Sequence, residues 1–83
     1  MIQAEEILQL LRKRPFQPFR VVLKDGKHYD ILFHENNLVF RSCIDIGIPV
    51  AGMEDPVADH FETVMLDQID RLELLQMSVG PTL

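Results

Sequence analysis

Eighty-three residues make one small domain, with 8 Lys+Arg against 13 Asp+Glu, a formal net charge of −5, and 47% hydrophobic residues. A chain this short supports a single core and buries only about 60–65% of its unfolded surface, so a partner subunit is a common remedy for its marginal stability. The apolar fraction excludes a disordered chain, and the lone Cys43 excludes an intrachain disulfide framework.

The start, Met1-Ile2-Gln3-Ala4-Glu5-Glu6, is acidic, and no long apolar run follows, so no secretory signal or membrane span is read. The expectation is a cytoplasmic protein that does not enter a membrane. Charge is unevenly placed. Residues 1–41 carry seven bases and five acids; residues 42–83 carry one base, Arg71, and eight acids. A +2 half is joined to a −7 half, a polarity suited to complementary contacts between subunits or to a solvated acidic surface.

Residues 2–14 read as an amphipathic helix. Ala4, Ile7, Leu8 and Leu11 lie on one face, Glu5 and Glu6 in the first turn, and Arg12, Lys13 and Arg14 in the last. No Ser, Thr, Asp or Asn is present to cap the start, and Pro15 stops the helix at Arg14. Pro15-Phe16-Gln17-Pro18-Phe19 is a stiff connector whose two phenylalanines anchor it to a core.

Five strands are predicted next. The first, about 19–24, alternates Phe19, Val21 and Leu23 against Arg20, Val22 and Lys24. Asp25-Gly26 signals a two-residue hairpin turn with positive φ at both central positions. The second strand, about 27–34, sets Tyr29, Ile31 and Phe33 against His28, Asp30, Leu32 and His34. After a turn at Glu35-Asn36-Asn37 comes a third strand, about 38–48, alternating Leu38, Phe40, Ser42, Ile44, Ile46 and Ile48, with Gly47 as its bend or end. Pro49 through Asp59 reads as a loop, the most mobile part by composition. A fourth strand spans about 60–66, with Phe61, Thr63 and Met65 on one side. Asp67-Gln68 is a turn, a fifth strand spans about 69–75, and 77–83 is a tail after a single domain over 1–76. The fold class is α+β: an N-terminal helix and a small, strongly bent, barrel-like antiparallel sheet of five strands.

This order is similar to the Sm-like fold, a relative in shape of SH3-like barrels. The resemblance is carried by Phe19 through Lys27, by Asn37-Leu38-Val39-Phe40, and by Leu66-Asp67-Gln68-Ile69-Asp70-Arg71-Leu72. It implies the fold, and through the family it implies RNA as a partner. Ile31 stands where Sm proteins usually place glycine, and Leu66-Asp67-Gln68-Ile69 is acidic where the family places basic or polar donors. The chain also resembles a group of short bacterial proteins with no assigned activity, through Arg14-Pro15-Phe16-Gln17-Pro18-Phe19-Arg20, Asp25-Gly26 and Ile69-Asp70-Arg71-Leu72-Glu73.

Candidate chemistry is sparse. His28, Asp30 and His34 share a predicted face, yet residues six apart on a strand are about 20 Å apart, too far for one ion. Asp55, Asp59, His60 and Glu62 form a second cluster without the spacing of a calcium loop. Cys43 shares its predicted face with Arg41 but has no base beside it, and Ser42 has no elbow motif. No catalytic residue, metal site or cofactor is assigned. The nucleic-acid candidates are Arg12, Lys13, Arg14, Arg20, Lys24 and Lys27, the one basic group in the sequence. The expected function is a non-catalytic binding or assembly module that forms homo-oligomers through strand edges. An RNA-binding Sm-like protein is the alternative, and a small enzyme the remote one.

Overall fold

The helix begins one residue after Gln3, because the Glu6 carboxylate accepts the Gln3 backbone N–H at 2.7 Å and does the work of the missing cap. Helix α1 spans Ala4–Arg12, two residues short of the predicted end at both termini. Lys13 is already extended, and the Arg14 guanidinium donates to the carbonyls of Leu11 and Lys13 at 2.9 and 2.8 Å. Pro15 disfavours helical dihedrals at Arg14, and that side chain satisfies the carbonyls left open. Ile7 and Leu11 are the buried residues of the helix.

The computed structural model describes residues 1–53 and 55–75, so the predicted tail at 77–83 lies outside the described residues. Among the described residues α1 is followed by six strands: β1 (Phe19–Leu23), β2 (His28–Ile31), β3 (Asn37–Val39), β4 (Cys43–Pro49), β5 (Ala58–Met65) and β6 (Ile69–Leu74). They form two three-stranded antiparallel sheets, ordered β2-β1-β6 and β3-β4-β5. The expected single barrel-like sheet of five strands is therefore corrected: the described residues form six strands, in two sheets that do not close into a barrel.

Two local departures make the sixth strand. The second predicted strand stops at Ile31 instead of His34. Asn36 adopts φ 63°, a left-handed value that asparagine tolerates, and the Asn37 amide donates to the carbonyls of Phe33 and Glu35 at 3.0 and 2.8 Å. The predicted third strand breaks at Phe40-Arg41-Ser42, where the Phe40 N–H donates to the Cys43 carbonyl at 2.8 Å and folds β3 back on β4. Gly47 does not end the strand, which runs on to Pro49. It lies inside β4, where its N–H donates to the Asn36 carbonyl at 2.9 Å.

The Asp25-Gly26 turn is also corrected. Gly26 has φ 95°, but Asp25 has no positive φ. The Gly26 N–H donates to the Leu23 carbonyl at 3.0 Å, and the Leu23 N–H donates to the Lys27 carbonyl at 2.8 Å. This is a three-residue connection with glycine in the left-handed position, and the Asp25 carboxylate accepts the Lys27 N–H at 2.9 Å.

The core lies between the inner faces of the two sheets and under α1. Phe19, Val21 and Ile31 come from the first sheet, Ile44, Ile46 and Val64 from the second, and Ile7 and Leu11 from the helix. A 3₁₀ turn at Leu66–Gln68 carries the chain from β5 in one sheet to β6 in the other and adds Leu66 and Ile69 to the same cluster. Phe19 is wholly buried and meets the Phe16 ring edge-on at 6.3 Å, so the connector phenylalanines pack as expected. The segment between β4 and β5 is closed by a hydrogen bond from the Val50 N–H to the Val57 carbonyl at 3.0 Å.

Candidate functional site

The first sheet turns a charged face outward. Cross-strand register places Asp30, Arg20 and Glu73 in one row and His28, Val22 and Arg71 in the next. The Arg20 guanidinium makes two bonds to the Asp30 carboxylate, at 2.6 and 3.2 Å. This hydrogen-bonded pairing holds Asp30 below the ordinary aspartate value and raises Arg20. Arg71 bridges Glu73 and Asp70, each at 2.6 Å, and is raised by those two bonds.

The six basic candidates fall in three places along the chain. Arg12, Lys13 and Arg14 stand at the end of α1, before β1; Lys24 and Lys27 stand in the hairpin after it. Arg20, between them, is neutralised by Asp30. Phosphate recognition rewards clustered free cations, and the bond to Asp30 takes Arg20 out of that group.

His28, Asp30 and His34 are also separated. Only His28 and Asp30 lie on β2; His34 is in the following turn, 5.8 Å edge-on from Phe16 and 3.4 Å from the Arg14 guanidinium. Asp59, His60 and Glu62 do come together on β5. The His60 ring nitrogens meet Asp59 at 2.8 Å and Glu62 at 2.9 Å, so the doubly donating imidazolium suits the site. Its pKa is raised above the ordinary value by the bond to Asp59 first and to Glu62 second. Asp55 is in the preceding segment, and among the described residues no three His, Cys, Asp or Glu side chains are grouped to hold a metal ion. Cys43 is half-buried on β4, and Arg41 is in the turn before it, not on its strand. Ser42 is in that turn too, its carbonyl accepting the Leu66 N–H at 2.9 Å.

The second sheet presents a different surface, one that sequence reading missed. On its outer face, register sets Phe40, Cys43 and Met65 in one row, Leu38, Asp45 and Thr63 in the next, and Gly47 and Phe61 in the third. Leu38, Phe40, Phe61 and Met65 are exposed at 55%, 48%, 48% and 42%, so four large apolar side chains share one solvent-facing sheet face. In their midst the Thr63 hydroxyl donates to the Asp45 carboxylate at 2.6 Å. The available signal was the alternation Phe61, Thr63, Met65 on β5, which does not say which side is wet.

The strand edges are the remaining candidates. The eight-residue β5 and six-residue β6 each pair on one side only among the described residues, leaving the other row of backbone groups open. Shallow clefts of about 220 and 330 Å³ lie at Met65–Asp67 beside the N-terminus and between α1 and β6. No helix among the described residues is long and apolar enough to cross a membrane. Comparisons with protein-family models, with curated proteins and with solved structures find no match for the chain.

Proposed function

We propose that the chain is a non-catalytic binding and assembly module that associates with copies of itself through its open strand edges. The observation that carries this reading is the free edge of β5, eight residues long, in a domain of 83 residues. Unpaired backbone donors and acceptors on so long an edge template pairing with another strand, and a small core gains most from such pairing. The edge holds no proline within 59–65 that would block it.

The Sm-like reading of the fold belongs with this proposal. β2 and β3 follow one another across residues 32–36, and counting them as one interrupted strand is what would bring the six strands to the five of that fold. A helix before the strands and a 3₁₀ turn before the last one support it. RNA as the partner has less support, because Arg20, the candidate on β1, is paired with Asp30.

Sedimentation velocity at micromolar concentration tests the assembly reading. It expects a species larger than one chain; a monomer across that range removes it.

A further inference from the structure

We infer that the outer face of the β3–β4–β5 sheet is a docking surface for a basic amphipathic helix of another polypeptide. This rests on the reading of the chain as a binding module and is independent of its self-association, which uses strand edges.

The face has the layout of a receptor for such a segment. Leu38 and Phe40 line one side, Phe61 and Met65 the other, and Asp45 sits between them on the middle strand. One carboxylate oxygen of Asp45 takes the Thr63 hydroxyl, and no Lys or Arg pairs with Asp45 among the described residues. Asp45 lies on this face, whereas Glu62 shares the row of buried Ile46 and turns the other way, and β3, β4 and β5 carry neither Lys nor Arg. Arg41 lies in the β3–β4 turn, beyond the Phe40 row. Apolar corners around a carboxylate suit side chains that offer methylene surface and a cationic end together, as lysine and arginine do.

Size and charge choose among occupants. Two strand spacings by two row spacings give a core patch of about 10 by 14 Å, matched to the ~10–12 Å width of a helix over two or three turns. That is well below the ~800 Å² per partner of a stable interface between globular chains. A second copy laid face to face about a two-fold axis would also set Asp45 against its own counterpart. Nucleic acid is disfavoured by the Asp45 carboxylate at the centre of the patch.

The test uses the full chain, ¹⁵N-labelled, titrated with a Leu/Lys peptide of about five helical turns whose leucines fall on one face. The controls are a Leu/Glu peptide of identical pattern and a Leu/Lys peptide of scrambled order. Binding is expected for the patterned cationic peptide, with amide shifts centred on Leu38, Asp45, Phe61 and Met65. Asp45→Lys is expected to weaken it about tenfold, as loss of a central charge contact does. Leu38→Ser and Phe61→Ser, on opposite strands, should each weaken it, and Arg12→Glu should not. Equal binding of the scrambled or acidic peptide, or shifts centred on β6, overturns the proposal. Sedimentation of Asp45→Lys separates the two readings. An unchanged oligomer that loses the peptide supports a docking face apart from the assembly edge; a monomeric wild type that still binds the patterned peptide here supports docking and removes self-association.

Discussion

The backbone N–H of Gly47 donates to the Asn36 carbonyl at 2.9 Å, and the two residues approach so closely that a Cβ at position 47 would collide with that oxygen and with the Asn36 side chain. The contact ties the turn after β2 to the middle of β4. The Asn36 side chain adds a bond to the Pro56 carbonyl, so one asparagine fastens three segments.

Gly47→Ala is expected to destabilise the fold by about 1–3 kcal/mol, the range for forced overpacking, because the obstacle is backbone and cannot swing away. Asn36→Gly keeps the left-handed conformation and loses only the side-chain bond, so it should cost about 1 kcal/mol. Urea denaturation with an unchanged m-value checks both; equal stability of Gly47→Ala and wild type would contradict the packing described.

Two phenylalanines separate core from surface. Phe19 is 0% exposed and Phe61 48%. Phe19→Ala should cost about 3–5 kcal/mol, while Phe61→Ser should stay within about 0.5 kcal/mol of wild type. Thermal melts monitored by circular dichroism decide it, and a large loss at Phe61 would mean that its face is covered.

The Arg20–Asp30 pair is half-exposed and bidentate. Asp30→Asn should therefore cost no more than about 1 kcal/mol near neutral pH. Since the folded pKa of Asp30 lies below its unfolded value, the contribution is complete above the ordinary aspartate range and fades as pH falls through the lowered one. The wild-type advantage over Asp30→Asn should shrink on acidification, measured by denaturant midpoints across that interval.

His60 works in the opposite sense. Its folded pKa is raised, so any stability it adds is complete below the ordinary histidine value and is lost as pH rises through the raised one. Ring-proton NMR titration should give a midpoint above 6.5. Asp59→Asn and Glu62→Gln should each lower it. Above that midpoint the Asp59-His60-Glu62 stretch of the β5 edge gains a negative charge, and self-association should weaken if that edge pairs with another acidic strand.

Much of this was legible in the residues themselves. The apolar spacing of Ile7 and Leu11 and the alternation of Phe19, Val21 and Leu23 each depend on neighbours within a few positions, and the structure buries those five. The proline that ends α1 and the glycine that closes the first hairpin act equally locally.

The run from Leu38 to Ile48 was not legible, and it governs the candidate surface. As one continuous strand it puts Leu38, Phe40, Ile44 and Ile46 on the same face. With a turn at 40–42, Leu38 pairs with Asp45 and Val39 with Ile44, so Leu38 and Phe40 face solvent while Ile44 and Ile46 fill the core. No glycine, proline or asparagine marks that turn. Likewise, Arg20 and Lys24 look equally cationic until register sets Asp30 beside Arg20.

The sequence by itself determined the helix, the first strand and its hairpin, and the charge polarity, because periodicity, backbone restriction and composition are local quantities. Only the tertiary structure decided which apolar residues are wet, which cations are free and which edges are open, because each follows from pairing between segments distant in the chain. A one-residue change of register there exchanges the inner and outer faces of a strand.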